Sequence, residues 1–342
     1  MNDVTELKKL TPADFASDQE VRWCPGCGDY AILKCMQRTL PELGADPANT
    51  VFVSGIGCSS RFPYYMATYG FHTIHGRAPA FATGLKLANP ALDVWVITGD
   101  GDALSIGGNH TMHAIRRNVD LNILLFNNEI YGLTKGQYSP TSRVGTRSPS
   151  TPFGSVDRPV KPGSFALGSG GRFVARTIDT AQAHMPVVFR RAYEHKGASF
   201  VEIYQNCIVY NDAVYEPFTA KANAADAQLL LEHGKPMIWG KEKNKGLILN
   251  RDTQRLEVVT IGENGITEGD ILVHDETNKS VAYMLIEMPF PGFPVALGVI
   301  YCDPAPTYDD AVEAQTVAVL AKKPAKPDFD ALLRQGQTWT VA

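Results

Sequence analysis

The chain has 342 residues, of which 44% are hydrophobic and 20% are charged. This length predicts about two units, or one unit with a large extension, and excludes a small domain that needs disulfides for stability. The composition excludes a disordered or fibrous chain. With 32 basic and 36 acidic residues the net charge is −4, which argues against bulk attraction to nucleic acid or anionic lipid.

We expect no membrane-spanning segment. The apolar run at 288–302 has fifteen residues and contains Pro291 and Pro294, whereas a spanning helix needs about 20 residues. The amino terminus carries charged residues from Asp3 to Lys9 with no apolar stretch behind them, unlike a secretory signal. We therefore expect a cytoplasmic protein, in which six cysteines indicate ligand or catalytic roles rather than a disulfide framework.

Helices and short buried strands alternate along the first part of the chain. Asp29 is placed to cap a helix over residues 30–40, whose apolar stripe ends before Pro41. Buried strands are predicted at 50–54, 94–98, 121–126 and 199–204, with a helical stretch that ends at about residue 118 and a helix at 180–196. This alternation predicts an α/β fold, a doubly wound and mostly parallel sheet with helices on both faces.

Each of the four predicted strands ends in a loop that carries Gly, Asn or Cys. In parallel sheets of this kind, ligands sit outside the carboxyl ends of the strands. The loops at 55–60, 99–102, 127–128 and 206–207 should therefore converge on one crevice.

The rest of the chain differs in composition and in its pattern of apolar and charged residues. The segment from Gly136 to Gly171 is rich in Pro, Gly and Ser, and a structureless stretch of this length predicts a functional or mobile loop. After about residue 216, strand-like runs at 257–261 and 270–273 alternate with charged turns. We therefore predict a ligand-binding domain at 1–215 and a carboxyl-terminal extension at 216–342.

Two strand-end motifs carry the oxygen ligands that Mg²⁺ prefers. Mg²⁺ takes six oxygen ligands and usually completes its shell with substrate phosphates. The Asp100 carboxylate, the Asn128 amide oxygen and the Ile130 carbonyl would supply the protein's half, and the glycines beside Asp100 allow a diphosphate to approach the backbone. Two ordinary glycine turns are the alternative, and the additional loops at 55–60 and 75–78 weigh against it.

Cys24 and Cys27 are separated by two residues, a spacing that suits zinc, a redox dithiol or iron. A thioredoxin-like site would need a hydrophobic strand just before the pair, and residues 11–22 are of mixed polarity. This spacing alone does not choose between zinc and iron.

Two further cysteines, Cys58 and Cys207, come from loops predicted to share the crevice. Four thiolates are the usual complement of a [4Fe-4S] cluster, and a structural zinc ion is the competing interpretation. Cys35 lies on the apolar face of the first helix and Cys302 ends an apolar run, so we predict that both are buried packing residues.

Taken together, the motifs resemble the beta subunits of 2-oxoacid:ferredoxin oxidoreductases. The resemblance rests on Cys24-Pro25-Gly26-Cys27-Gly28, Gly55-Ile56-Gly57-Cys58-Ser59-Ser60-Arg61, His75-Gly76-Arg77-Ala78, Gly99-Asp100-Gly101-Asp102, the string from Asn127 to Gln137, and Asn206-Cys207. It covers roughly residues 20–215. The extension, with the motifs at 233–236 and 304–309, is most similar to the 2-oxoglutarate branch.

The resemblance implies three cofactors. Asp100, Asn128 and the Ile130 carbonyl would hold Mg²⁺, which binds the diphosphate of thiamine diphosphate. A [4Fe-4S] cluster would be ligated by Cys24, Cys27, Cys58 and Cys207. The other contacts to thiamine diphosphate would come from Ile56, Gly57, Cys58, Ser59, His75, Gly76, Arg77, Ala78, Gly101, Asp102, Gly132 and Leu133.

The implied reaction is the oxidative decarboxylation of 2-oxoglutarate to succinyl-CoA and CO₂. Coenzyme A takes the acyl group, and the electrons leave singly through the cluster to ferredoxin; the reaction is expected to be reversible. Lys135 would meet the substrate carboxylate. Because Arg77 is assigned to the cofactor, we expect a partner arginine to meet the second carboxylate.

The resemblance also implies a partner, because this chain has only the diphosphate-binding half of such a site. An alpha subunit would bring the aminopyrimidine-binding domain, in a dimer of alpha-beta heterodimers, and the extension would pack on both. Alternatives are the same enzyme acting on pyruvate or on a broad range of 2-oxoacids, a non-oxidative thiamine diphosphate decarboxylase, and a zinc-binding structural module.

Overall fold

The computed structural model describes residues 9–322 and 328–341. Most of the charged amino terminus, from Asp3 to Lys8, lies outside these ranges, as do residues 323–327. Within the described ranges, no helix is both long and apolar enough to cross a membrane.

Helices and strands alternate as far as residue 204, and a strand-rich region follows. The helices are α1 (Asp29–Leu43), α2 (Ala78–Ala88), α3 (Asp100–Leu104), α4 (Gly108–Arg117), α5 (Pro162–Gly168), α6 (Met185–Glu194), α7 (Glu216–Thr219), α8 (Ala224–Ala227), α9 (Lys279–Glu287), α10 (Tyr308–Leu320) and α11 (Phe329–Leu333). The strands are β1 (Thr50–Ser54), β2 (Tyr69–His72), β3 (Asp93–Gly99), β4 (Leu121–Asn127), β5 (Phe173–Ile178), β6 (Ala198–Tyr204), β7 (Gln228–Leu230), β8 (Ile238–Trp239), β9 (Lys245–Asn250), β10 (Arg255–Thr260) and β11 (Val295–Cys302).

The main sheet of the described residues has eight strands in the order β2-β1-β3-β4-β6-β5-β11-β7. Every pairing from β2 across to β5 is parallel, and β11 runs antiparallel to β5. The predicted α/β class with a mostly parallel sheet is confirmed. The four strands predicted from the sequence correspond to β1, β3, β4 and β6, which are neighbours at the centre of the sheet.

The central strands are buried on both faces, as expected for parallel strands covered by helices. All seven residues of β4 are buried. One apolar cluster packs α2 and α4 on one face of the sheet, and a second packs α1 and α6 on the other. These two layers fix the strand ends from which the site loops emerge.

The first helix differs from expectation at both ends. Asp29 is the first helical residue and Gly28 is the N-cap, so the predicted capping role of Asp29 is wrong. The helix also continues through Pro41 to Leu43. It ends at Gly44, whose left-handed φ of 71° lets its N–H reach the carbonyl of Leu40.

The carboxyl-terminal segment takes part in the main sheet. Strands β11 and β7 extend that sheet beyond β5, while β8, β9 and β10 form a small separate sheet. The strand expected at 257–261 is present as β10, but 270–273 is not a strand, and a short 3₁₀ turn ends at Asp270. The division at residue 215 stays a prediction, with the addition that the second segment completes the sheet of the first.

Candidate functional site

The carboxyl ends of β1, β3, β4 and β6 surround a pocket. Most of the predicted site residues line it: Ile56, Gly57, Cys58, Ser59, His75, Asp100, Gly101, Asp102, Asn128, Ile130, Gly132 and Leu133. The pocket lining does not include Gly76, Arg77, Ala78 or Lys135. Loops far apart in sequence therefore converge at one crevice, as their strand ends predict.

Asp100 begins α3 directly after β3 and is almost fully buried. Its Oδ2 accepts hydrogen bonds from the Ser139 hydroxyl at 2.5 Å and the Thr141 hydroxyl at 2.6 Å. Burial raises the pKa of the carboxyl to about 6, and the two hydroxyls partly offset that rise. A carboxylate held by one oxygen and facing a pocket is a suitable cation ligand.

Asn128 and Ile130 follow β4 through a sharp turn in which Glu129 has a positive φ of 55°. Asn128 Oδ1 accepts the N–H of Ile130 at 3.1 Å, and Asn128 Nδ2 donates to Gln205 Oε1 at 2.9 Å. Both Asn128 and Ile130 line the pocket beside Asp100. The oxygen donors proposed for Mg²⁺ are thus brought to one place.

A buried polar network lies behind the Asp100 carboxylate. The Thr141 hydroxyl also lies 3.0 Å from Asn127 Oδ1, and Asn127 Nδ2 donates to Glu202 at 2.8 Å. Glu202 in turn accepts from Arg176 at 2.8 Å, and both members of that ion pair are buried. The network joins the loop at 139–142 to the ends of β4, β5 and β6, so the position of Asp100 depends on all of them.

Gly101 allows close packing against the backbone at the pocket floor. A Cβ atom there would lie 2.1 Å from Cε1 of Tyr131. The Tyr131 hydroxyl donates to the Gly101 carbonyl at 3.2 Å. A side chain at position 101 would displace the Tyr131 ring.

The Asp102 carboxylate links the loop after β1 to strand β3 by hydrogen bonds. Its Oδ1 accepts from the N–H of Ile56 and its Oδ2 from the Thr98 hydroxyl. Arg77 donates to the carbonyls of His75 and Ile106, each at 3.3 Å, and is the residue before α2. These contacts place the backbone around the pocket.

A second pocket, with about 790 Å³ of empty space, adjoins the first and is lined by Cys24, Cys27, Cys58 and Cys207. A Cβ atom at Gly132 would lie 3.4 Å from Cys207 Sγ and 3.6 Å from Cys58 Sγ. The four cysteines predicted as ligands therefore share one pocket. Cys35 and Cys302 are buried in the apolar core, as predicted.

Two thiols of this second pocket, those of Cys27 and Cys58, have a raised pKa. Burial raises the pKa of Cys58 to about 12, with the neighbouring Asp29 carboxylate adding to the rise. The pKa of Cys27 is raised further by the same causes. A metal centre bound here has to displace these protons.

Asp29 is a buried carboxyl between the cysteines and the first pocket. Its pKa is raised to about 7, chiefly by burial, and the Cys27 thiol offsets part of the rise. Neither oxygen accepts a hydrogen bond of normal geometry from the described residues.

Zinc is the competing interpretation of the four thiols. Among the described residues, no three His, Cys, Asp or Glu side chains are arranged to hold a single metal ion. A tetrahedral zinc ion bonded at about 2.3 Å to four thiolates would bring the sulfurs within about 4 Å of one another.

Lys135 and Arg61 are cations at the edge of the cysteine pocket, where Arg22 also lies. Lys135 is exposed and has a left-handed φ of 74° in the turn after β4. No described residue forms an ion pair with either Lys135 or Arg61, whereas Arg22 pairs with Glu20 at 3.2 Å. Two unpaired cations are therefore available to an anionic ligand.

Four residues of this site are not identified by the sequence motifs: Asp29, Ser139, Thr141 and Gln205. Asp29 and Gln205 have a signal, since Asp29 directly follows the motif of Cys24 and Cys27 and Gln205 directly precedes Asn206-Cys207. The others act through contacts that sequence spacing does not reveal.

Comparisons with known proteins agree with this geometry. Residues 55–203 match the family described as thiamine pyrophosphate enzyme, C-terminal TPP binding domain. The KorB subunit of a 2-oxoglutarate oxidoreductase from Mycobacterium tuberculosis is 49% identical over 96% of this chain and 88% of its own. The beta subunit of a 2-oxoacid:ferredoxin oxidoreductase from Saccharolobus solfataricus is 39% identical over 72% of this chain and 85% of its own.

A solved structure is similar over nearly the whole chain. It is a 2-oxoglutarate:ferredoxin oxidoreductase from Magnetococcus marinus with 2-oxoglutarate, coenzyme A and succinyl-CoA bound. The TM-score is 0.76 at 32% identity, and the match covers 97% of this chain and 98% of that one.

Proposed function

Because the chain belongs to the family of 2-oxoacid:ferredoxin oxidoreductase beta subunits, we propose that together with an alpha subunit it catalyses the coenzyme A-dependent oxidation of 2-oxoglutarate to succinyl-CoA and CO₂. One observation carries the proposal. The ends of four neighbouring strands, with the segment before α1, bring an oxygen-donor set and four cysteines to two adjoining pockets. Cofactor chemistry and single-electron transfer therefore have adjacent sites.

Asp100, Asn128 and the carbonyl of Ile130 are proposed to hold Mg²⁺ and, through it, the diphosphate of thiamine diphosphate. Thiamine diphosphate supplies the electron sink for loss of CO₂ when it is bound. Gly101 leaves the backbone accessible, and the loop from Ile56 to Ser59 lines the wall. Asp102 and Arg77 place these loops through their contacts to the backbone.

Cys24, Cys27, Cys58 and Cys207 are proposed to ligate a [4Fe-4S] cluster. Such a cluster is held by four thiolates and carries one electron at a time. The cysteine pocket shares Cys58 and Gly132 with the first pocket, which keeps the path for electrons short.

Lys135 and Arg61 are proposed to bind the two carboxylates of the substrate. A dicarboxylate needs two cations, and both side chains are free of ion pairs among the described residues while lining one pocket. Arg61 therefore supplies from this chain a cation that the motifs alone led us to expect from the partner. A contribution from the partner's arginine stays a prediction.

The names of the relatives imply an alpha subunit as partner. We propose that it completes the site above the first pocket, that the enzyme is a dimer of alpha-beta heterodimers, and that residues 216–342 pack against it. Ferredoxin is the proposed electron acceptor. We also propose a cytoplasmic location, because cysteines that ligate a cluster must stay reduced.

The test is to purify the chain without oxygen, alone and with its alpha subunit. The visible spectrum, the iron and zinc contents, and the 2-oxoglutarate-dependent reduction of ferredoxin in the presence of coenzyme A are then measured. We expect iron-sulfur absorption that bleaches on reduction, and activity only with the alpha subunit. A colourless zinc protein would contradict the proposal, and decarboxylation without iron would indicate a non-oxidative enzyme.

A further inference from the structure

Gln205 lies between the two pockets and lines both of them. It follows β6 by one residue, is 1% exposed, and its N–H donates to the Asn127 carbonyl at 2.9 Å. The sheet thus fixes its backbone. We propose that Gln205 is a positioning residue that acts on both cofactors at once, orienting Asn128 toward the metal and donating to the sulfur of Cys27.

The orientation of the Gln205 amide follows from backbone groups at both ends of a chain of hydrogen bonds. At one end the N–H of Ile130 can only donate, so the atom it meets is the oxygen of Asn128. The Asn128 nitrogen then faces Gln205, which must present its oxygen at 2.9 Å. The Gln205 nitrogen is left to donate to the Asn206 carbonyl at 2.6 Å and to Cys27 Sγ at 3.3 Å.

This orientation matters for the metal because an amide ligates Mg²⁺ through its oxygen. Without an acceptor for its nitrogen, the Asn128 amide is held by the N–H of Ile130 alone, so its oxygen is placed less firmly toward the cation. Groups that orient a ligand in this way commonly change metal affinity by about 10- to 100-fold when they are removed. Gln205 supplies that acceptor.

The same side chain acts on the cluster ligand. A hydrogen bond to a ligating sulfur stabilises the more negative, reduced state of a cluster and so raises its reduction potential. Both N–H bonds of the Gln205 amide are used, one on the Asn206 carbonyl and one on Cys27. Removing the amide should therefore shift the potential to a more negative value.

The test uses the assembled enzyme with the substitution Gln205→Leu, which keeps the bulk and removes both polar atoms. A redox titration followed by absorption or electron paramagnetic resonance should give a more negative cluster potential. The Mg²⁺ concentration for half-maximal binding of thiamine diphosphate should rise about 10-fold or more. The matched control, Thr141→Val, removes hydrogen-bond contacts to Asp100 and Asn127 and none to the four cysteines, so it should change the Mg²⁺ requirement while leaving the potential unchanged.

This inference rests on the proposed function, and the two fail in different measurements. A parent enzyme without iron, or without Mg²⁺-dependent binding of thiamine diphosphate, overturns the proposed function before any variant is made. A sound parent whose Gln205→Leu variant keeps either its potential or its Mg²⁺ requirement overturns the role of Gln205. If the leucine variant does not assemble, the unbranched Gln205→Met variant is subject to the same two criteria.

Discussion

The backbone N–H of Gly76 donates to Asp102 Oδ1 at 2.7 Å. The same oxygen accepts the N–H of Ile56 at 3.1 Å, from a loop on another strand. One carboxylate oxygen therefore joins the loop after β1 to the loop before α2. Asp102 shapes the mouth of the first pocket through these bonds, even though the family motif suggests a direct contact to the cofactor.

Asp102→Ala is expected to weaken both folding and cofactor binding. The buried N–H of Gly76 and the partly buried N–H of Ile56 would lose their acceptor, and an unsatisfied buried group costs about 1–3 kcal/mol. Thermal unfolding and calorimetric titration with thiamine diphosphate check this expectation. Asp102→Asn is the matched control, because its amide oxygen can still accept from Gly76 and Ile56. An alanine variant that melts and binds like the parent would rule out the joining role.

Serine substitutions should separate the cluster ligands from the structural cysteines. We expect loss of iron from each of the variants at Cys24, Cys27, Cys58 and Cys207, because oxygen is a poor replacement for a thiolate ligand. Cys35→Ser and Cys302→Ser, which alter the apolar core, should keep their iron. Full iron content in the Cys207→Ser protein would refute the proposed ligand set.

The two cations should differ in substrate dependence. Loss of one charge-assisted contact costs about 1.5–3 kcal/mol, or about 10- to 150-fold in kcat/KM. Lys135→Ala should show such a loss with both 2-oxoglutarate and pyruvate. Arg61→Leu should show it with 2-oxoglutarate alone, since pyruvate has no second carboxylate. Equal losses on the two substrates in the Arg61 variant would remove it from substrate recognition.

Thr141→Val should weaken Mg²⁺ binding while leaving the shape of the side chain almost unchanged. Asp100 would keep the Ser139 hydroxyl and lose the Thr141 hydroxyl at 2.6 Å, and the loss of such an orienting contact typically costs about 10- to 100-fold in metal affinity. Calorimetry with thiamine diphosphate at several Mg²⁺ concentrations measures this. Thr141→Ser should restore the parent's affinity; a serine variant as weak as the valine variant would point to packing instead.

Binding of thiamine diphosphate with Mg²⁺ should weaken as the pH falls through about 6. Burial raises the pKa of Asp100 from 3.8 to about 6, and the proton competes with the metal for the carboxylate. Well below that pH the affinity should fall about tenfold per pH unit. Calorimetry on both sides of pH 6 tests this, and a flat profile would contradict it.

In the metal-free protein, a fall in pH has the opposite effect through the same carboxyl, because it increases the stability of the fold. The folded state holds the proton more tightly than the unfolded chain, because the folded pKa lies above the ordinary value of 3.8. The stability that Asp100 contributes is therefore complete below about pH 3.8 and is lost as the pH rises through about 6. Thermal melts without Mg²⁺ follow this change.

The central part of the fold could be predicted, and its edges could not. Strands β1, β3, β4 and β6 are short runs of buried apolar residues that end in glycine, asparagine or cysteine loops. Strand β2 is exposed at all four positions and gives no apolar signal. Strand β5 contains Arg176, whose burial depends on Glu202 of the neighbouring strand, and one sequence does not show that pairing.

The candidate site likewise has a part that the sequence predicts and a part that it does not. Its contiguous motifs identify the family, which the comparisons confirm. Ser139 and Thr141 lie in a long loop without periodicity, and they meet Asp100 across 39 and 41 residues of sequence. Gln205 meets Asn128 across 77 residues. These contacts exist only after the sheet has formed, so composition and spacing cannot predict them.

Cys24 is exposed, while Cys207 is buried and Cys27 and Cys58 are half-buried. The opening that exposes Cys24 also admits dioxygen and peroxide to the cysteine pocket. An exposed thiol is the first to be oxidised through sulfenic acid to irreversible sulfinic acid. Thiols with a raised pKa, such as that of Cys58, react slowly. When the chain is exposed to air, we therefore expect oxidation at Cys24 before oxidation of the other cysteines in the pocket.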